Sequence, residues 1–153
     1  MRLSRIGLHR MEKIMHRTYT ELIAIPSFEE RFRYLQLNGN VGEDTFGFDR
    51  WLNQIFYRTP EWRKVRRDAI LRDCGCDLAW PEREICGELI IVHHMNPITV
   101  EDIKYRSSSL LDLENLITTS DSTHRAITYG DESLVKVIKP IERLPNDTCP
   151  WRC

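Results

Sequence analysis

Three histidines and one asparagine in the C-terminal half of the chain have the types and spacing to hold a metal ion and move a proton. They are the adjacent pair His93 and His94, then Asn115, then His124, with eight residues between Asn115 and His124. Neighbouring residues on a strand point to opposite faces, so His93 and His94 are not expected to bind one ion together. A division of labour follows: one imidazole ligates a metal while the other stays free to accept a proton near neutral pH. His124, delivered from a helix packed on the strands, would close the metal site.

The elements that must position these residues are readable around them. Glu88-Leu89-Ile90-Ile91-Val92-His93 is rich in β-branched residues and reads as a strand, ended by Asn96-Pro97. A long polar connection with Ser107-Ser108-Ser109 at its centre leads to a second strand over Leu113 to Thr119. Ser120 or Asp121 can cap a short helix carrying His124, which Tyr129-Gly130 ends. Upstream, Thr59 as N-cap, Pro60 at the first helical position and Glu61 in the first turn start a helix running to about Arg72. Its apolar stripe is Trp62, Val65 and Ala69, and Arg63, Lys64, Arg66 and Arg67 crowd the remaining surface beside Arg58. Ser27 and Glu30 form a capping box for a helix over 28–37, which Asn38-Gly39 breaks. Residues 38–47, with Gly39, Gly42 and Gly47, read as a loop, and Phe48, Trp51, Leu52, Ile55 and Phe56 as a second short helix. The stretch from Cys74-Gly75-Cys76 through Pro81 reads as irregular.

The order His93-His94, Asn115, His124 resembles the HNH endonuclease family. Tyr57-Arg58-Thr59-Pro60-Glu61-Trp62-Arg63 resembles the arginine-rich helix that leads into the motif in many members. The run from Phe28-Glu29-Glu30-Arg31-Phe32 through Gly130-Asp131-Glu132-Ser133-Leu134 is similar to HNH endonucleases encoded by bacteriophages, and the likeness covers about residues 20–135. The resemblance implies a metal-dependent endonuclease acting on double-stranded DNA, of phage or prophage origin, leaving 5′-phosphate and 3′-hydroxyl ends. It implies a ββα-metal fold in which His93 is the first metal ligand, His94 the general base and His124 the helix ligand. Asn115 either ligates the ion or ties the long loop so that the base is oriented. One divalent ion is implied, among Mg, Mn, Ni, Co and Zn, and a mostly imidazole ligand set favours the last four over magnesium. Ser120 and Thr123 stand where many members have structural-zinc cysteines, so no structural zinc is expected, and Thr128 stands where some have a further histidine. Roles in homing, packaging or DNA degradation, with a homodimer or phage packaging proteins as partners, belong to the same family. The rival reading is a catalytically silent DNA-binding or packaging-associated module that retains the fold.

The fold class expected is α+β, a helical N-terminal half followed by a ββα-metal motif. The domain spans 20–136, with a helical lead-in over 20–73 and the core over 85–130. A flexible basic arm over 1–19 precedes it, with Arg2, Arg5, Arg10, Lys13 and Arg17, and a tail over 137–153 with Pro140, Pro145 and Pro150 follows. At 153 residues and 41% hydrophobic, one folded domain is the size expected. The 22 basic and 23 acidic side chains average to a net charge of −1, which disfavours a general nucleic-acid coat and conceals the basic helix. Arg58, Arg63, Arg66 and Arg67 are the candidate DNA contacts; bonds to phosphates would give salt-sensitive affinity without sequence preference. Trp51 and Trp62 are expected as core anchors. No apolar run approaches the ~20 residues that cross a bilayer, and no secretory signal is legible, so a cytoplasmic protein is expected. Cys74 and Cys76 could join Cys149 and Cys153 in a four-thiolate site, but the spacing is unusual and free thiols are the better reading.

Overall fold

The computed structural model describes residues 16–37 and 50–136. Most of the arm expected over 1–19, the loop expected over 38–47, the expected helix start at Phe48 and the tail expected over 137–153, with Cys149 and Cys153, lie outside the described residues.

Two short helices open the described chain. Helix α1, Tyr19–Ile23, is capped by Thr18, whose hydroxyl accepts from the Glu21 amide at 3.2 Å. Helix α2, Phe28–Leu35, starts at Ser27, whose hydroxyl accepts from the Glu30 amide. It stops two residues before the expected end because Gln36 turns extended and the Leu37 amide bonds the Ile127 carbonyl instead. Arg17 and Thr18, assigned to the flexible arm on sequence grounds, are bonded into the domain: the Thr18 amide donates to the Tyr34 hydroxyl and the Arg17 side chain to the Tyr34 and Gln36 carbonyls. Helix α3 is Arg50–Tyr57 and α4 is Pro60–Arg72, the latter capped by Thr59 as its sequence requires.

The centre of the fold is a two-stranded antiparallel sheet, β3 (Ile90–His94) with β4 (Leu116–Ser120), in which His93 lies opposite Ile117 and His94 opposite Leu116. A smaller pair, β1 (Cys76–Asp77) with β2 (Arg83–Glu84), begins in the stretch expected to be irregular and closes just past Pro81. Between β3 and β4 the polar connection contains helix α5, Val100–Lys104, held by a complete capping box of Thr99 and Asp102. Single 3₁₀ turns follow at Ser108–Leu110 and Leu113–Asn115. Helix α6, Asp121–Tyr129, begins at the N-cap Ser120 and ends where Gly130 adopts φ 68°, a left-handed conformation that glycine takes without strain. The fold is thus mixed α+β.

Alternation along the strands sends two sets of side chains to two faces. Ile117 packs with Met95, Ile127, Ala126, Leu22, Phe32 and Leu35, a core that binds α1, α2 and α6 to one side of the sheet. Val92 and Leu116 pack with Trp62 and Ala69, fixing α4 to the other. The outer edge of β4 is sealed from within. Thr118 N–H donates to Asp73 Oδ2 at 2.8 Å, Ser120 N–H to Asp77 Oδ2 at 3.2 Å, and the Thr118 carbonyl accepts from the Leu78 amide. Among the described residues no helix is long and apolar enough to cross a membrane.

Candidate active site

The sheet separates the two adjacent histidines. His93, His94 and Asn115 are only 6%, 7% and 5% exposed. His93 points to the α6 face, where its ring meets that of His124 edge-on at 5.1 Å between centroids. His124 reaches this place because Ser120 ends β4 and caps α6 at once, its hydroxyl accepting from the Thr123 amide. The Nε2 atom of His93 is buried and has no hydrogen-bond partner. A buried polar atom left unpaired costs about 1–3 kcal/mol, so such an orphan calls for a partner. Two imidazoles in edge-on contact, one with an unpartnered buried ring nitrogen, are a donor pair whose chemistry fits a divalent ion of borderline softness.

Among the described residues no group of three or more His, Cys, Asp or Glu side chains converges as a metal cage. An ion held by His93 and His124 would therefore take its remaining ligands from oxygens of water or of a phosphate. Thr128 turns its hydroxyl proton to the His124 carbonyl at 2.8 Å.

His94 occupies the opposite face. Its ring stacks on Trp62, 5.1 Å between centroids and 18° from parallel, with Phe56 at 6.4 Å. Its Nε2 lies 3.0 Å from the Leu110 carbonyl oxygen. A carbonyl can only accept, so Nε2 carries the proton and Nδ1 keeps the lone pair. Burial pushes the His94 pKa down to about 4, partly opposed by the bond to Leu110. Burial also holds His93 well below its ordinary range, helped by His124, His94 and Arg17. His124 is lowered by burial against the pull of Asp121. All three rings are neutral at pH 7, the form that both metal ligation and proton acceptance need.

Asn115 serves the loops. Its Oδ1 accepts from the Asn96 backbone amide at 3.1 Å and from Asn96 Nδ2 at 2.6 Å, while its Nδ2 donates to the Ser109 carbonyl at 3.0 Å. Both amide ends are thus occupied by bonds that tie the two loops together. The basic helix divides similarly. Arg58, Arg63 and Arg67 are exposed, and Arg67 meets Asp68 at 3.4 Å, whereas Arg66 is half-buried and donates to the Ile90 carbonyl at 3.1 Å. Arg66 thus braces the start of β3 through Nη2.

Several residues that shape the site gave no sequence signal. Arg72 pairs with Asp73 at 2.7 Å, donates to the Leu113 and Leu116 carbonyls flanking Asn115, and stacks over Tyr19 at 3.6 Å. Arg31, buried within α2, donates to the Ile25, Leu78 and Ile23 carbonyls. Both guanidiniums bond to backbone carbonyls, which have no side-chain identity for a sequence to display. Trp62 is the core anchor its sequence predicts and also the platform under His94, whereas Trp51, expected as a second anchor, is 54% exposed. No family model, no curated protein and no solved structure matches this chain.

Proposed function

We propose that the protein is a metal-dependent endonuclease of the HNH kind, with β3, β4 and α6 as its ββα-metal unit and double-stranded DNA as its substrate. The observation that carries the reading is the buried, unpartnered Nε2 of His93 beside the His124 ring, with His94 held on the opposite face by its own Nε2–H. His94 Nδ1, bearing the lone pair, takes a proton from water as the water oxygen attacks phosphorus. The bond from phosphorus to the 3′ oxygen breaks, leaving a 5′-phosphate and, after protonation from solvent, a 3′-hydroxyl. His93 and His124 would hold a divalent ion, which would supply positive charge for the nonbridging and departing oxygens. Trp62 keeps the His94 ring in one plane, and Asn115 holds the loop whose Leu110 carbonyl fixes the ring's tautomer. Exposed Arg58, Arg63 and Arg67 on and beside α4 supply the cations for phosphate contact.

The second reading, a DNA-binding or packaging-associated module without hydrolysis, draws on the small protein ligand set: two imidazoles, and Thr128 turned to the backbone. Plasmid nicking separates the two. His94→Ala is expected to lower the rate by about 10²–10⁴-fold, the usual worth of a general base, while circular dichroism stays unchanged. Wild-type protein that binds DNA but nicks it in none of Mg, Mn, Co, Ni or Zn would select the silent module.

A further inference from the structure

Asn96 follows the histidine pair by two residues, and none of the roles assigned above uses its side chain. Its amide joins three separate segments. Oδ1 accepts from the Arg17 backbone N–H at 2.8 Å, and Nδ2 donates both to the Arg17 carbonyl at 2.8 Å and to Asn115 Oδ1 at 2.6 Å. The orientation of both amides is fixed by their partners: turning over Asn96 would set its oxygen against two carbonyl oxygens, and turning over Asn115 would do the same at Ser109. Arg17 is itself pinned, through Nε to the Tyr34 carbonyl at 2.6 Å and through Nη2 to the Gln36 carbonyl at 3.2 Å.

We propose that Asn96 is a positioning residue for His94, one half of a two-amide latch that sets which ring nitrogen of the base is bare. The latch runs from the anchored Arg17 backbone through Asn96 to Asn115, and from Asn115 Nδ2 to the Ser109 carbonyl. The next carbonyl along the chain, that of Leu110, accepts from His94 Nε2. Loosening the Asn96 side chain leaves Asn115 Oδ1 with only the Asn96 backbone amide, weakens its hold on the Ser109–Leu110 turn, and lets the acceptor that keeps the proton on Nε2 shift. The segment at Arg17, far away in sequence, is by this route a part of the active site. The proposal rests on the reading of His94 as the base, but its physical content is a tautomer that can be observed without any reaction.

The test uses the full-length protein, treated with chelator, and the nitrogen spectrum of its histidine rings. Wild type is expected to show His94 in a single Nε2–H tautomer, with the side-chain amide protons of Asn96 and Asn115 protected from solvent exchange. Asn96→Ala and Asn96→Asp are both expected to give mixed tautomers at His94. In a plasmid-nicking assay with added metal, both are expected to lose about 10²-fold in kcat with KM little changed, the scale of loss from a misplaced reacting group. The aspartate is the discriminating variant. It has the same shape and can still accept from Arg17, but it cannot donate to Asn115 Oδ1, so a space-filling role would leave it near wild type. An unaltered tautomer in both variants overturns the proposal. So does wild-type His94 protonated on Nδ1, a result that stands even if neither variant folds. A chain that never nicks DNA removes the endonuclease reading alone, and the ring tautomer then decides the latch by itself.

Discussion

The imidazoles make the protein's stability depend on pH in a calculable direction. His94 has a folded pKa of about 4 against its ordinary 6.5, so between these values the unfolded chain binds the proton that the folded chain refuses. The His94 contribution to stability is therefore full above about pH 6.5, falls as the pH drops through this window and levels off below about 4. His93 and His124 are displaced the same way and steepen the slope, each by up to about 1.4 kcal/mol per pH unit. Urea midpoints of chelator-treated protein at several pH values, repeated on His94→Gln, check this; identical slopes for the two proteins would defeat it. Trp62 offers a second residue-level test. It is buried, touches Phe56 and Tyr57 and stacks under His94, so Trp62→Ala should cost about 3–5 kcal/mol of folding free energy by cavity formation, read from the same midpoints. The histidine pair was legible in the sequence because two identical neighbours on a strand must part. The acceptor that sets the tautomer was not, since the Leu110 carbonyl lies sixteen residues away and belongs to the backbone.

Elements with chemical start and stop signals were read closely from sequence. Thr59-Pro60 begins α4 and Gly130 ends α6 where their residue types demand. The β1/β2 pair was missed because two-residue strands have no period to detect. Helix α5 was missed although Thr99 and Asp102 spell its capping box, since its five residues bury no side chain and sit in a polar run. The second strand was expected from Leu113, yet Asp112 caps a 3₁₀ turn there, its Oδ1 accepting from the Glu114 amide at 2.9 Å, and pairing starts only at Leu116. Asp77 shows how one carboxylate serves several elements: Oδ1 accepts from the Ala79 amide and Oδ2 from Ser120, the residue that caps α6. Asp77→Ala should leave two buried donors unpaired at about 1–3 kcal/mol each, seen as a lower urea midpoint. An unchanged midpoint would mean that water replaces the carboxylate.

For the whole molecule, the net charge of −1 conceals a local surplus of arginine on and beside one helix, and the charge of any bound metal would be absent from a sum over side chains. Metal should act as a ligand of the folded state only, since His93 and His124 meet through two elements 31 residues apart in the chain. Manganese or nickel at about 100 times its Kd should add roughly 2.7 kcal/mol, a rise of several degrees in Tm. His93→Ala and His124→Ala should each remove that rise; a rise that survives both substitutions would place the ion elsewhere. The core on both faces of the sheet makes these effects global, because α1, α2 and α6 on one side and α4 on the other share the same two strands. The carboxylates along the outer side of β4 have one more consequence. With the Thr118 and Ser120 amides already satisfied by Asp73 and Asp77, that strand offers no open ladder for another chain to extend. Two copies could not pair by extending the sheet past β4, and amyloid-like growth along this border is blocked by the protein's own acids.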